Sequence, residues 1–150
     1  MVNLSELLSI ALNIEAEGYA FYTNLASAQT DEQSKQLFQN LAQQEREHQE
    51  IFKKLINEFS QPDSSKDNWV SEEVVGYLKS YANMSIFPTM TKMKQMSSTE
   101  ALKLAVEVEK DSIIFYSELL PYAGNERETI KKVISEEKRH LMDLLALLSQ

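Results

Sequence analysis

The chain has 150 residues, 18 of them glutamate and none cysteine, with a formal net charge of −8 and a pI near 4.8. That balance argues against non-specific nucleic-acid or anionic-membrane binding, both of which want clustered Lys and Arg, and the lack of thiols excludes disulfides, zinc ribbons and cysteine-ligated iron–sulfur centres. Three Gly and three Pro leave few places to turn, so long helices in a single domain (residues 1–150) are expected, and with no apolar run of about eighteen residues the expected location is cytoplasmic.

Asn3 and Glu6 form a capping box for a first helix to about Ala28, whose inward seam is Leu8, Ala11, Glu15, Gly18, Tyr22 and Leu25. Thr30 with Gln33 caps a second helix to about Phe59, with seam Phe38, Leu41, Glu45, His48, Phe52 and Leu55. Pro62 and the serines around it break the chain, and a short helix is expected from about Ser71 to Tyr81. Across residues 82–97, Asn83 and Pro88 suit irregular chain, while Met90, Met93 and Met96 keep a helical spacing that suits packing of a crossover on a bundle. Ser97 and Glu100 cap a third long helix to about Leu120, with seam Leu102, Ala105, Glu109, Ser112, Tyr116 and Leu119. Pro121 to Asn125 form a turn with Gly124 as its left-handed residue. The last helix has the seam Ile130, Val133, Glu137, His140, Leu144 and Leu147. Every seam alternates steps of three and four, the heptad of helices packed at about 20°. The expected fold class is therefore all-α, a four-helix bundle of two hairpins (4–59 and 98–149) joined by a long crossover (60–97).

The two hairpins repeat one another. Ile14-Glu15-Ala16-Glu17-Gly18-Tyr19-Ala20-Phe21-Tyr22 aligns with Val108-Glu109-Lys110-Asp111-Ser112-Ile113-Ile114-Phe115-Tyr116 at an offset of 94, and Glu45-x-x-His48 aligns with Glu137-x-x-His140 at an offset of 92. These are the only two histidines. Glu15 and Glu45 lie equally far from the first turn, as do Glu109 and Glu137 from the second, so at about 1.5 Å per residue each pair shares one level of its hairpin. Docking on the apolar seams would bring four carboxylates and two imidazoles into a single layer. Buried alone, such a layer costs several kcal/mol per ion or forces protonation; two divalent cations would cancel its four negative charges. Oxygen and imidazole without thiolate suit Fe, Mn or Zn, and one Glu from each of two helices plus Glu-x-x-His from the other two is the pattern of di-iron and di-manganese bundles.

A single seam glutamate is usually a helix-end or snorkelling residue, and a single seam histidine a satisfied core residue; six at one level in a duplicated pattern outweigh that reading. Gly18 and Ser112 fit either room for a small ligand or close helix packing. Tyr22 and Tyr116 share the faces of Glu15 and Glu109, and a buried phenol needs a partner, so Tyr22 is expected to bond near Glu109 and Tyr116 near Glu15. Glu17, Glu107 and Asp111 lie off the seam in solvent, with Glu17 or Asp111 able to swing in as an extra ligand. Arg46 and Glu47 should point outward.

The segments Ile14–Tyr22 and Ser135-Glu136-Glu137-Lys138-Arg139-His140-Leu141 resemble the ferritin-like superfamily, and within it the rubrerythrin-like proteins. The likeness covers both hairpins. It implies two Fe ions, with Mn or Zn as substitutes, reacting with peroxide or dioxygen in oxidative stress, and a homodimer. Three departures shape what carries over. Rubrerythrins proper add a cysteine-ligated rubredoxin module, so here a separate electron-donor protein is implied. They carry a further glutamate near the position of Ser112, and a second glutamate where this chain has His140, which makes the ligand set more similar to that of bacterioferritin. The expected activity is reduction of hydrogen peroxide or dioxygen by a di-iron oxidoreductase. The alternatives are a ferrous-iron oxidase, a non-enzymatic iron-binding or sensing module, and a metal-free interaction bundle.

Overall fold

Apolar residues in steps of three and four, with almost no interior breakers, give four long helices. The computed structural model describes residues 2–59, 69–83 and 96–150. A first hairpin is made of α1 (Leu4–Ala28) and α2 (Glu32–Phe59). Within the crossover lies α3 (Glu72–Asn83), and the second hairpin is α4 (Ser98–Leu119) and α5 (Arg127–Leu148). Two-residue strands β1 (Val2–Asn3) and β2 (Trp69–Val70) pair antiparallel, Val2 opposite Val70 and Asn3 opposite Trp69, and so fasten the start of the chain to the crossover. The helical periodicity carried no sign of this pair. The expected breaker at Pro62, and Pro88, Met90 and Met93, lie outside the described residues. The whole is a helical bundle.

The helix ends follow local chemistry, with one correction. Ser97 and Glu100 make the expected reciprocal capping box at α4. At α2 the cap is Asp31 and not Thr30: Asp31 Oδ2 accepts from both the backbone N–H and the hydroxyl of Ser34, each at 2.9 Å. A carboxylate is the better acceptor for helix-start amides, and those bonds from Ser34 hold the Asp31 carboxyl below its usual range. Between α4 and α5 the chain makes two single 3₁₀ turns, Leu120–Tyr122 with Pro121 near its start and Gly124–Glu126. Gly124 adopts φ of +55°, the left-handed conformation expected of it.

All the seam positions face inward, although Leu102 and Leu147, at the bundle end, are only half-buried. The interior is not continuous. One apolar cluster joins Leu4, Leu8 and Ala11 of α1 to Phe52 and Leu55 of α2, Leu119 of α4 and Ile130 and Val133 of α5, and it is closed by Val75 and Leu78 of α3. A second joins Leu25 of α1 to Phe38 and Leu41 of α2, Ala101 and Ala105 of α4 and Leu144 of α5. The start of α1 thus lies with the end of α4, and the end of α2 with the start of α5. Consequently α2 ends at one end of the bundle and α4 begins at the other, which is why the connection is long. Among the described residues no helix is long and apolar enough to cross a membrane.

Gly124→Ala should lower stability by about 1 kcal/mol, because a Cβ is strained at that φ although no neighbouring atom obstructs it. Urea unfolding would measure the change.

Candidate metal centre

Between the two apolar clusters lies a polar layer. It comprises Glu15 from α1, Glu45 and His48 from α2, Glu109 from α4, and Glu137 and His140 from α5, none more than 4 % exposed. The spacing explains how they arrive there: each stands on the inward seam at the middle of its helix, and Glu-x-x-His puts both of its side chains on one face. Arg46 and Glu47, between Glu45 and His48, are exposed as expected; the Arg46 guanidinium lies 5.9 Å from the centre of the Tyr19 ring. Glu17 and Glu107 are exposed too.

The six side chains form two overlapping groups whose ligand atoms lie within 4.8 Å of one another, Glu15–Glu45–His48–Glu137 and Glu45–Glu109–Glu137–His140. Each group has its own histidine and its own outer glutamate. Glu45 and Glu137 belong to both, so they have the position of bridges. Glu137 spans the layer: its Oε1 is 2.9 Å from His48 Nδ1 and its Oε2 is 3.9 Å from His140 Nδ1. The imidazoles face each other with ring centres 6.0 Å apart. Neither Glu17 nor Asp111 enters a group.

Each tyrosine crosses to the opposite hairpin. Tyr22 Oη donates to Glu109 Oε1 and Tyr116 Oη to Glu15 Oε1, both at 2.6 Å. This leaves Glu15 Oε2, Glu109 Oε2, both Glu137 oxygens and the Nδ1 atoms of His48 and His140 buried without a hydrogen-bond partner. Buried polar atoms are seldom left so. Six orphaned donor atoms of oxygen and imidazole nitrogen, all turned into one layer, fit divalent metal ions and fit little else.

The outer nitrogens of the histidines are also held, by residues that the seam pattern passed over. His48 Nε2 lies 2.7 Å from Glu136 Oε2, and His140 Nε2 bonds Gln44 Oε1. With Nε2–H donating outward, each Nδ1, once free of its proton, would turn its lone pair into the layer, as histidines that bind metal commonly arrange. A signal was present in the sequence. Gln44 and Glu136 stand immediately before the two Glu-x-x-His glutamates, at the same offset of 92. Both line a surface cleft of about 300 Å³ with Asn40, Gln43, Glu47 and Arg139.

Gly18 faces Glu45. A Cβ there would come within 3.0 Å of Glu45 Oε2 and 3.2 Å of Glu45 Cδ, so the missing side chain makes room for the Glu45 carboxylate, a role distinct from the two expected of it. Burial and the neighbouring carboxylates push Glu45 and Glu137 well above the usual carboxylate range. Burial also raises Glu15, but the nearness of Glu45, His48 and Tyr116 outweighs it and leaves the group lowered. Burial lowers His48, whereas Glu15 and Glu136 more than reverse that and carry it from 6.5 to about 9.

A helical bundle with four carboxylates and two imidazoles converging at mid-height defines the ferritin-like di-iron-carboxylate class of protein. The chain belongs to the rubrerythrin family, whose model matches residues 6–148. It is also similar to a solved structure from Thermotoga maritima described as a ferritin-like diiron-carboxylate protein, with 29 % identity and a TM-score of 0.79 over 99 % of this chain and 96 % of that one. No curated protein matches the chain.

Tyr22→Phe and Tyr116→Phe should each destabilise the metal-free protein by about 1–3 kcal/mol, since each strips a buried carboxylate oxygen of its donor; urea unfolding of chelator-treated protein measures this. The metal-free protein should also lose stability as pH rises. Groups with raised folded pKa values stabilise the fold below their unfolded values and lose that contribution as pH climbs through the folded ones. For His48 the loss runs from about 6.5 to about 9, and Glu45 and Glu137 act in the same direction. Glu15, lowered, loses its contribution only toward acid. The Tm of chelator-treated protein should therefore fall between about pH 6.5 and 9; a level profile would count against these charge assignments.

Proposed function

We propose that this chain is a di-iron oxidoreductase that reduces hydrogen peroxide, or dioxygen, with electrons from a separate protein. The observation that carries the reading is the layer of six buried Glu and His in two groups that share Glu45 and Glu137, five of which turn six atoms without hydrogen-bond partners into it. Glu15, Glu45, His48 and Glu137 would hold one metal, and Glu45, Glu109, Glu137 and His140 the other. Two ferrous ions, when bound, supply the two electrons that cleave a peroxide O–O bond with uptake of two protons to give two waters, and the Lewis acidity that binds the oxygens. The protein residues determine the rest. Tyr22 and Tyr116 each occupy one oxygen of an outer glutamate and leave the other for metal. Glu137, with both oxygens free of hydrogen bonds, is suited to bridging. The apolar clusters on either side of the layer keep bulk water from it. The chain has no cysteine for an internal relay, so we assign the supply of electrons to another protein.

A second reading, oxidation of ferrous iron as substrate, is favoured by one feature: His140 completes a histidine in each group, whereas the rubrerythrin pattern has a glutamate there. Protein purified without a chelator or histidine tag should contain about two Fe per chain, as expected for di-iron bundles. Stopped-flow mixing of the reduced protein with peroxide should oxidise that iron faster than free ferrous ion. If dioxygen and added Fe(II) gave the fast reaction and peroxide did not, the second reading would replace the first. No iron after anaerobic reconstitution would refute both.

A further inference from the structure

The two halves of the layer match in the residue types that could hold metal, one Glu and one His each around two shared Glu. They differ one step further out. Glu136 stands behind His48 and Gln44 behind His140, at equivalent positions of the duplicated motif and at equivalent atoms of the two rings. We propose that this difference makes the two metal positions unequal, the one served by His48 binding a divalent cation more tightly and filling first, and the one served by His140 filling second. The proposal rests on the reading that the six residues hold two metals.

A carboxylate that accepts the Nε2–H of a metal-bound imidazole makes the ring a stronger donor through Nδ1, and it adds a negative charge close to the cation. An amide oxygen accepts the same proton without a charge, and a neutral hydrogen bond is roughly half as strong as a charge-assisted one. Once His48 is the neutral ligand of a metal, the charge of Glu136 is not cancelled locally. Apart from that ring, the cation beside it is Lys132, 3.9 Å from Oε1 and largely in solvent, where such a pair contributes little. Glu136 is itself mostly covered, at 19 % exposure, so its field reaches the layer with less screening than that of an exposed residue. The tyrosine bonds to the two outer glutamates have the same length, so they do not distinguish the two halves. Glu136 and Gln44 are positioning residues; they act on the metal through the imidazole.

Anaerobic titration of the metal-free full-length chain with Co(II), followed by its visible absorption bands, tests the idea without turnover. Two steps are expected, separated by about 10–100-fold in affinity, the usual effect of an outer hydrogen-bond partner on a metal ligand. Glu136→Gln should weaken the tight step and draw the two together. Gln44→Glu should tighten the weak step and draw them together from the other side, which a merely structural role for Glu136 does not predict. Two indistinguishable steps in the unmodified chain, or a separation that neither substitution changes, would overturn the proposal and leave the two-metal reading standing. Failure of Co(II) to bind at all would remove that reading and the proposal with it.

Discussion

Four buried glutamates at one level of a helical bundle are a concentration of like charge that no apolar packing can offset. Each carboxylate removed from water costs several kcal/mol even after relaxation, and their mutual repulsion adds to that. Each device around the layer reduces this burden or depends on it. Two phenols each donate one hydrogen bond, two imidazoles turn their inner nitrogens toward the acids, and Glu45 and Glu137 are pushed toward their neutral forms. None of this satisfies the six orphaned atoms. A pair of divalent cations would do so at a single stroke and bring the charge of the four carboxylates to zero.

The same constraint divides the core. Because the polar layer crosses the full width of the bundle, each apolar cluster must close by itself, with contributions from all four long helices. The cluster at the start of α1 gains Val75 and Leu78 of α3, whereas the cluster around Phe38 has no described residue from the crossover. Tyr22 belongs to one cluster and Tyr116 to the other, and each reaches an acid on the opposite hairpin. The two bonds thus pin the hairpins in register at the level where a ligand error would matter most.

Much of this was legible in the sequence because helices convert spacing into position. A seam in steps of three and four put Glu15 beneath Tyr22 and made Glu45 and His48 neighbours, and equal distances from the turns put the acids level. The reciprocal tyrosine bonds followed from the same periodicity. What escaped was whatever periodicity does not encode. The cap at α2 was displaced by one residue because Thr30 and Asp31 are both capping types, and only backbone geometry chooses between them. The strand pair at Val2 and Val70 joins residues far apart in the chain and too few to leave a pattern. Glu136 and Gln44 lie beside the seam, where a polar residue ordinarily faces water; only the packing of α2 against α5 brings each to a histidine of the other helix.

The crossover has a consequence for symmetry. A site of this shape could be assembled from two copies of a single hairpin related by a twofold axis, but identical copies would carry the same residue behind both imidazoles. Joining the hairpins in one chain removes that restriction. Equivalent positions can then diverge one substitution at a time, as Gln44 and Glu136 have, while the inward-facing Glu and His stay matched. The long connection therefore does more than return the chain to the far end of the bundle: it lets a nearly symmetric centre tell its two sides apart.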